Sequence, residues 1–170
     1  MKGRQSGAVH GMHAMDIYAY LKKDHLKVAD LMDQVLASQD PAERQSLFET
    51  IKAELTLHAD TEEATFYKAV EDATKAKAVE EQMEHAHHEH DEIREYLQKL
   101  TDTPVDQEAW IETFGEFKHS VAHHVEEEEG DIFEKAKKYI DQTEAVQLAK
   151  DMDALKKQQA ASIPVEPSAV

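Results

Sequence analysis

The chain has 170 residues, with 36 Asp and Glu against 19 Lys and Arg, a formal net charge of −17, no cysteine and eleven histidines. One domain's worth of so acidic a chain is set against nucleic acid and anionic membrane surfaces, whose phosphates need clustered cations. The lack of thiols excludes disulfides, thiolate-held iron–sulfur clusters, zinc ribbons and thiol catalysis.

Residues 1–14 hold three of the five glycines and no periodicity, and read as a mobile N-terminal arm. No run reaches the ~18 apolar residues of a membrane helix and the first twenty residues lack a signal-peptide core, so a cytoplasmic protein is expected. Breaks at Ser38-Gln39-Asp40-Pro41, near Asp72 to Thr74, at Thr101 to Asp106 and at Asp141-Gln142-Thr143 then delimit helical segments at about 15–38, 42–71, 75–100, 106–138 and 143–160. Pro41 and Pro104 are expected in a first helical turn or just ahead of one, where a missing N–H costs nothing. Residues 161–170, with Pro164 and Pro167, read as a flexible tail.

Four segments carry apolar stripes at helical spacing. They are Ile17, Leu21, His25, Val28, Met32, Val35; then Phe48, Ile51, Leu55, His58, Glu62, Phe66, Ala69; then Val79, Met83, Ala86, His90, Ile93, Leu97, Leu100; and Trp110, Phe114, Phe117, Val121, His124, Glu128, Ile132. No stretch alternates with period two. The expected fold is all-α, an up-down-up-down four-helix bundle over 15–140 with an additional short C-terminal helix over 141–160.

Six polar residues interrupt those stripes: His25, His58, Glu62, His90, His124 and Glu128. Buried carboxylates are costly unless neutralised, and no lysine or arginine lies on the stripes to pair with them. Metal ions remove the difficulty, because neutral imidazole and carboxylate both suit iron, manganese or zinc. Positions i and i+4 share a helix face, so His58 with Glu62, and His124 with Glu128, each aim an imidazole and a carboxylate at one place.

An internal repeat doubles this pattern. A shift of 66 maps Phe48, Ile51, Lys52, Leu55, His58, Glu62, Glu63, Phe66 and Tyr67 onto Phe114, Phe117, Lys118, Val121, His124, Glu128, Glu129, Ile132 and Phe133, and a shift of 65 maps Asp24-His25 onto Glu89-His90. Two helical hairpins related by an approximate two-fold axis would each bring two histidines and one carboxylate to a common centre. Such a set suits two metals bridged by carboxylates.

The Asp24-His25 pair, the His58-to-Glu63 run ending in Tyr67, Glu89-His90 through Ile93, and His124 to Glu129 leading to Ile132-Phe133 together resemble the hemerythrin-like HHE cation-binding family over about residues 15–140. The resemblance implies a four-helix bundle around a non-haem, usually di-iron, centre. Two departures stand out. Oxygen-carrying members have a His-x-x-x-His pair on the third helix, and here its first position is Ala86. Their last carboxylate lies five residues after the fourth-helix histidine, at Glu129. Spacing favours Glu128, since i+5 lies ~140° round a regular helix from His124; a π-bulge at Gly130 would instead turn Glu129 inward.

Of the other histidines, His85, His87 and His88 read as a solvated face, with His87 or His85 the candidate for a fifth imidazole ligand. His119 and His123 read as a surface pair, and His10 and His13 fall in the arm. Tyr20 reads as packing. The functions expected are binding or reaction of O2, nitric oxide or peroxide in redox or nitrosative stress protection or sensing, with peroxide breakdown by a metal-dependent enzyme, or an iron-holding or structural role, as alternatives.

Overall fold

The computed structural model describes residues 15–162, and among them every regular element is helical. The expected arm at 1–14, with His10 and His13, and the tail from 163 onward lie outside the described residues. The elements are α1 (Ile17–Ala37), α2 (Pro41–Glu62), a π-helical turn π1 (Glu63–Tyr67), α3 (Lys68–Ala73), α4 (Lys77–Asp102), α5 (Glu108–Glu127), a second π turn π2 (Glu128–Ile132), α6 (Phe133–Lys137) and α7 (Gln142–Ser162). Because α2, π1 and α3 run on without a break, as do α5, π2 and α6, the bundle consists of four long rods plus α7.

Local chemistry sets the ends of these rods. Asp16 caps α1 by accepting from the Ala19 N–H at 2.9 Å, and Asp40 caps α2 by accepting from Ala42 at 3.1 Å, with Pro41 in the first turn. Pro104 precedes α5, and the Trp110 indole N–H donates to the Leu100 carbonyl at 3.1 Å, tying the start of α5 to the end of α4.

The stripes bury as two apolar clusters. One gathers Val28, Met32, Phe48, Ile51, Leu97, Trp110, Phe114 and Phe117. The other gathers Ile17, Leu21, Phe66, Tyr67, Val79, Met83, Ala86, Ile132 and Phe133, closed by Ala145, Leu148 and Met152 of α7. The polar interruptions of the stripes lie between the two. At this layer α7 also reaches the bundle through polar contacts: the Tyr20 hydroxyl donates to Asp153 at 3.0 Å, and the Lys156 ammonium pairs with Asp24 and sits 4.7 Å from the Tyr20 ring centre. No helix among the described residues is long and apolar enough to cross a membrane.

The second stripe departs from expectation beyond Glu62. A regular helix puts Ala69 in the core, but Tyr67 and Val70 are fully enclosed and Ala69 is only partly buried. The cause is π1, which inserts one extra residue into the turn and advances the register by one. Thr61 and Thr65 donate their hydroxyls to the carbonyls of Leu57 and Thr61, both at 2.7 Å, around this turn.

Candidate metal centre

The six residues singled out by sequence meet at one place. Glu62 and Glu128 have no exposed surface, and His25, His58, His90 and His124 are buried. Glu62 Oε1 lies 3.3 Å from both His58 Nε2 and His90 Nε2, while Glu128 lies 3.0 Å from His25 Nε2 and 3.9 Å from His124 Nε2. Each carboxylate therefore stands between one imidazole of its own hairpin and one of the other, the placement of a bridging ligand. His25, His58 and Glu128 form one group of converging donors, and Glu62, His90 and His124 a second.

A ring of outer acids fixes the imidazoles. His58 Nδ1–H donates to Asp24 at 2.8 Å, His124 Nδ1–H to Glu89 at 2.7 Å, His90 Nδ1–H to Glu63 at 2.6 Å and His25 Nδ1–H to Glu129 at 2.7 Å. With every Nδ1 committed outward, every Nε2 faces the centre, the tautomer and orientation that metal-ligating histidine requires. The repeat extends to these contacts: Asp24 and Glu89 each precede a core histidine and hold the histidine of the next rod, while Glu63 and Glu129 each follow a core glutamate and hold the lone histidine of the opposite hairpin.

Both carboxylates after the fourth-rod histidine thus have a place. A π turn is present at Glu128–Ile132, yet it does not exchange one acid for the other. Glu128 occupies the centre, whereas Glu129, its side chain 31% exposed, reaches α1 from the rim. Consecutive helical residues lie ~100° apart, which sends one glutamate inward and the next to the neighbouring rod. Neither candidate fifth imidazole enters the centre. His87 donates from Nε2 to Glu71 at 2.8 Å, and His85 is turned outward toward Glu89 and Glu127.

Helical spacing does not mark Tyr67 as a site residue, because at i+5 from Glu62 a regular helix turns it away. The π turn brings its hydroxyl within 2.8 Å of Glu128, to which it donates, and 3.3 and 3.4 Å from the Nε2 atoms of His90 and His124. Its ring stacks on His90 at 5.0 Å. The acids on Nδ1 carry a sequence signal too, since each lies beside a core residue in both repeats.

Without a cation, the buried carboxylates and histidines balance one another's charge. Burial pushes Glu62 upward, but the facing histidines, His58 foremost, outweigh it and hold the carboxyl well below its ordinary value. Burial and then the Glu62 charge push Glu128 up. His58 rises to about 10 and His90 to about 9: burial opposes the charge, but Glu62 leads the acids that restore it. Burial, reinforced by Glu128, raises the Tyr67 phenol well above its ordinary value, which keeps it a donor. His25 Nε2, both oxygens of Glu62 and Oε1 of Glu128 are enclosed without an aligned hydrogen-bond partner. So many unpaired atoms pointing at one spot are expensive in a purely organic core and fit a bound metal. Beside the imidazoles, Val28, Leu55, Ile93 and Val121 line a small, mostly apolar cavity.

Comparisons with known proteins bear on the family and the fold. The family model described as Hemerythrin HHE cation binding domain matches residues 16–136. The crystal structure of a hemerythrin HHE cation binding domain-containing protein from Mycobacterium kansasii superimposes with a TM-score of 0.73 at 28% identity, covering 87% of this chain and 89% of that one. No curated protein matches the sequence significantly.

Proposed function

This chain belongs to the hemerythrin HHE cation-binding family, and on that premise we propose that His25, His58, Glu62, His90, His124 and Glu128 bind a pair of non-haem iron ions that react with peroxide, nitric oxide or O2. The observation that carries this reading is the convergence of four Nε2 atoms and two bridging-placed carboxylates, several of them unpaired, in two groups of three donors. Manganese or zinc suits the same donors; iron, like manganese and unlike zinc, supplies redox chemistry when bound.

The chain's own residues favour reaction over guarded O2 carriage. Ala86 is fully buried and presents a methyl where the carrier pattern has an imidazole. On the same side of the centre, Tyr67 holds a proton at its hydroxyl and donates it to Glu128 Oε2. On the other side, Val28, Leu55, Ile93 and Val121 put an apolar wall against the imidazoles, which suits a small neutral ligand. The outer acids keep the imidazoles oriented throughout. Consumption of small oxidants in protection from oxidative or nitrosative stress is the role this arrangement serves best.

The test is metal analysis of protein purified from iron-replete cells, followed by optical spectra of the reduced protein with peroxide and with O2. About two iron ions per chain are expected, with a charge-transfer band that peroxide bleaches or shifts faster than O2 binds reversibly. A stable O2 adduct that survives many cycles would overturn the reaction reading, and a chain that takes up no iron would overturn the metal assignment.

A further inference from the structure

Outside the buried centre, the chain repeats its His-x-x-x-Glu spacing on a second pair of facing helices. His85 and Glu89 lie at i, i+4 on α4, and His123 and Glu127 at i, i+4 on α5. His85 Nε2 is 3.1 Å from Glu89 Oε2 and 3.2 Å from Glu127 Oε1, while His123 Nε2 is 3.2 Å from Glu127 Oε2 and 3.7 Å from Glu89 Oε2. His85, Glu89 and Glu127 thus converge from two rods, and His123 stands beside them against both carboxylates. His85 and His123, each 53% exposed, open this cluster to solvent.

The two-fold relation between the hairpins shows what the cluster lacks. Asp24, the counterpart of Glu89, is neutralised by the Lys156 ammonium of α7, and Glu63 is paired with Arg94 at 3.1 Å. Helix α7 reaches this layer on the first hairpin's side, through its contacts with Tyr20 and Asp24. Among the described residues, no lysine or arginine pairs with Glu89 or Glu127. Where the first half puts a fixed ammonium against its outer acid, the second half puts two metal-ligating side chains and a second acid.

We propose that His85, Glu89, His123 and Glu127 form a separate surface site for one first-row divalent cation, with zinc-like preference, that uses Glu89 as a ligand in common with the outer ring of the buried centre. Two imidazoles and two carboxylates match the donor set that such cations favour over calcium or magnesium. Glu89 divides its oxygens: Oε1 accepts from His124 Nδ1–H at 2.7 Å, and Oε2 faces the cluster. A cation there compensates the acid as Lys156 compensates Asp24. The proposal stands whatever fills the buried centre, because none of its imidazoles is one of the six inner residues.

Equilibrium dialysis of the full chain against Zn2+, at a pH where free imidazole is neutral, tests this by difference. Wild type is expected to bind one more Zn2+ per chain than His85→Ala/His123→Ala, with the double variant keeping the wild-type iron content and melting temperature. Glu127→Gln, which removes one ligand without touching either imidazole, should weaken the extra site by more than about tenfold, since even a residue one step outside the ligand shell commonly costs that much. His88→Ala, whose ring pairs with Glu92 at 3.6 Å, should change nothing. Equal zinc stoichiometry in wild type and double variant would overturn the proposal and reduce the cluster to imidazole–carboxylate contacts. Unchanged zinc affinity in Glu127→Gln would overturn it as well. Failure of the buried-centre reading gives a different pattern, namely loss of iron from every form with the one-zinc difference retained.

Discussion

Tyr67 donates its hydroxyl across the bundle to Glu128 at 2.8 Å, while Phe133, which the internal repeat places opposite it, has no hydroxyl to return. The two halves are otherwise matched down to the acids behind each imidazole. This contact sets the two donor groups apart, giving a phenol to the side of His90 and His124 and none to the side of His25 and His58.

Tyr67→Phe should therefore restore symmetry at small structural cost. The loss of one buried hydrogen bond predicts a destabilisation of about 1–2 kcal/mol, roughly 2–8 °C in Tm for a chain of this size. Metal content should be retained while the peroxide response changes. Thermal melts, metal analysis and the peroxide-induced spectrum read the three quantities, and an unaltered peroxide response would show that the phenol only packs.

Metal and fold should be linked. A cation bound only by the native state adds stability by mass action, so a chelator should lower Tm. His58→Ala and His124→Ala should lose metal and Tm together, whereas His119→Ala, on an exposed ring, should lose neither. Equal metal loss in His119→Ala and His58→Ala would place the cation elsewhere.

The outer acids make a graded prediction. Asp24→Asn and Glu63→Gln each keep a hydrogen-bonding oxygen but remove the charge that orients His58 and His90. Metal affinity should fall about 10- to 100-fold in each. Competition with a chelator of known affinity measures this, and full affinity in both variants would mean that packing alone orients the rings.

The metal-free protein should also have a distinctive pH profile. The folded values of His58, about 10, and His90, about 9, exceed the ordinary 6.5, so their contribution is fully present below ~6.5 and is lost as pH rises through 9 and 10. Glu62 is shifted the opposite way, below its ordinary 4.5, so its contribution is present above that value and is lost as pH falls. Tm of chelator-treated protein should peak between pH ~4.5 and ~6.5 and decline toward pH 10. Metal affinity should rise over that same alkaline range, because His58 and His90 must give up their protons to bind. A Tm that climbs from pH 7 to 9 without metal would contradict this balance.

The linear sequence by itself determined the helical class, the breaks between rods and the identity of the six inward residues, because each depends on a local period: apolar side chains every three or four residues, interrupted by ligating ones at the same phase. It also held the two-fold repeat. Only the tertiary structure decided what depends on neighbouring rods or on a change of period. The π turn at Glu63–Tyr67 advances the register by one residue, which no 3.6-residue pattern anticipates, and so delivers Tyr67 and Val70 to the core in place of Ala69. The pairing of each Nδ1 with an acid from another rod, the division of labour between Glu128 and Glu129, and the convergence of His85 with Glu127 are contacts across the bundle, between residues separated by tens of positions. Helical periodicity says which face a side chain occupies, whereas what that face meets is settled by how the rods pack.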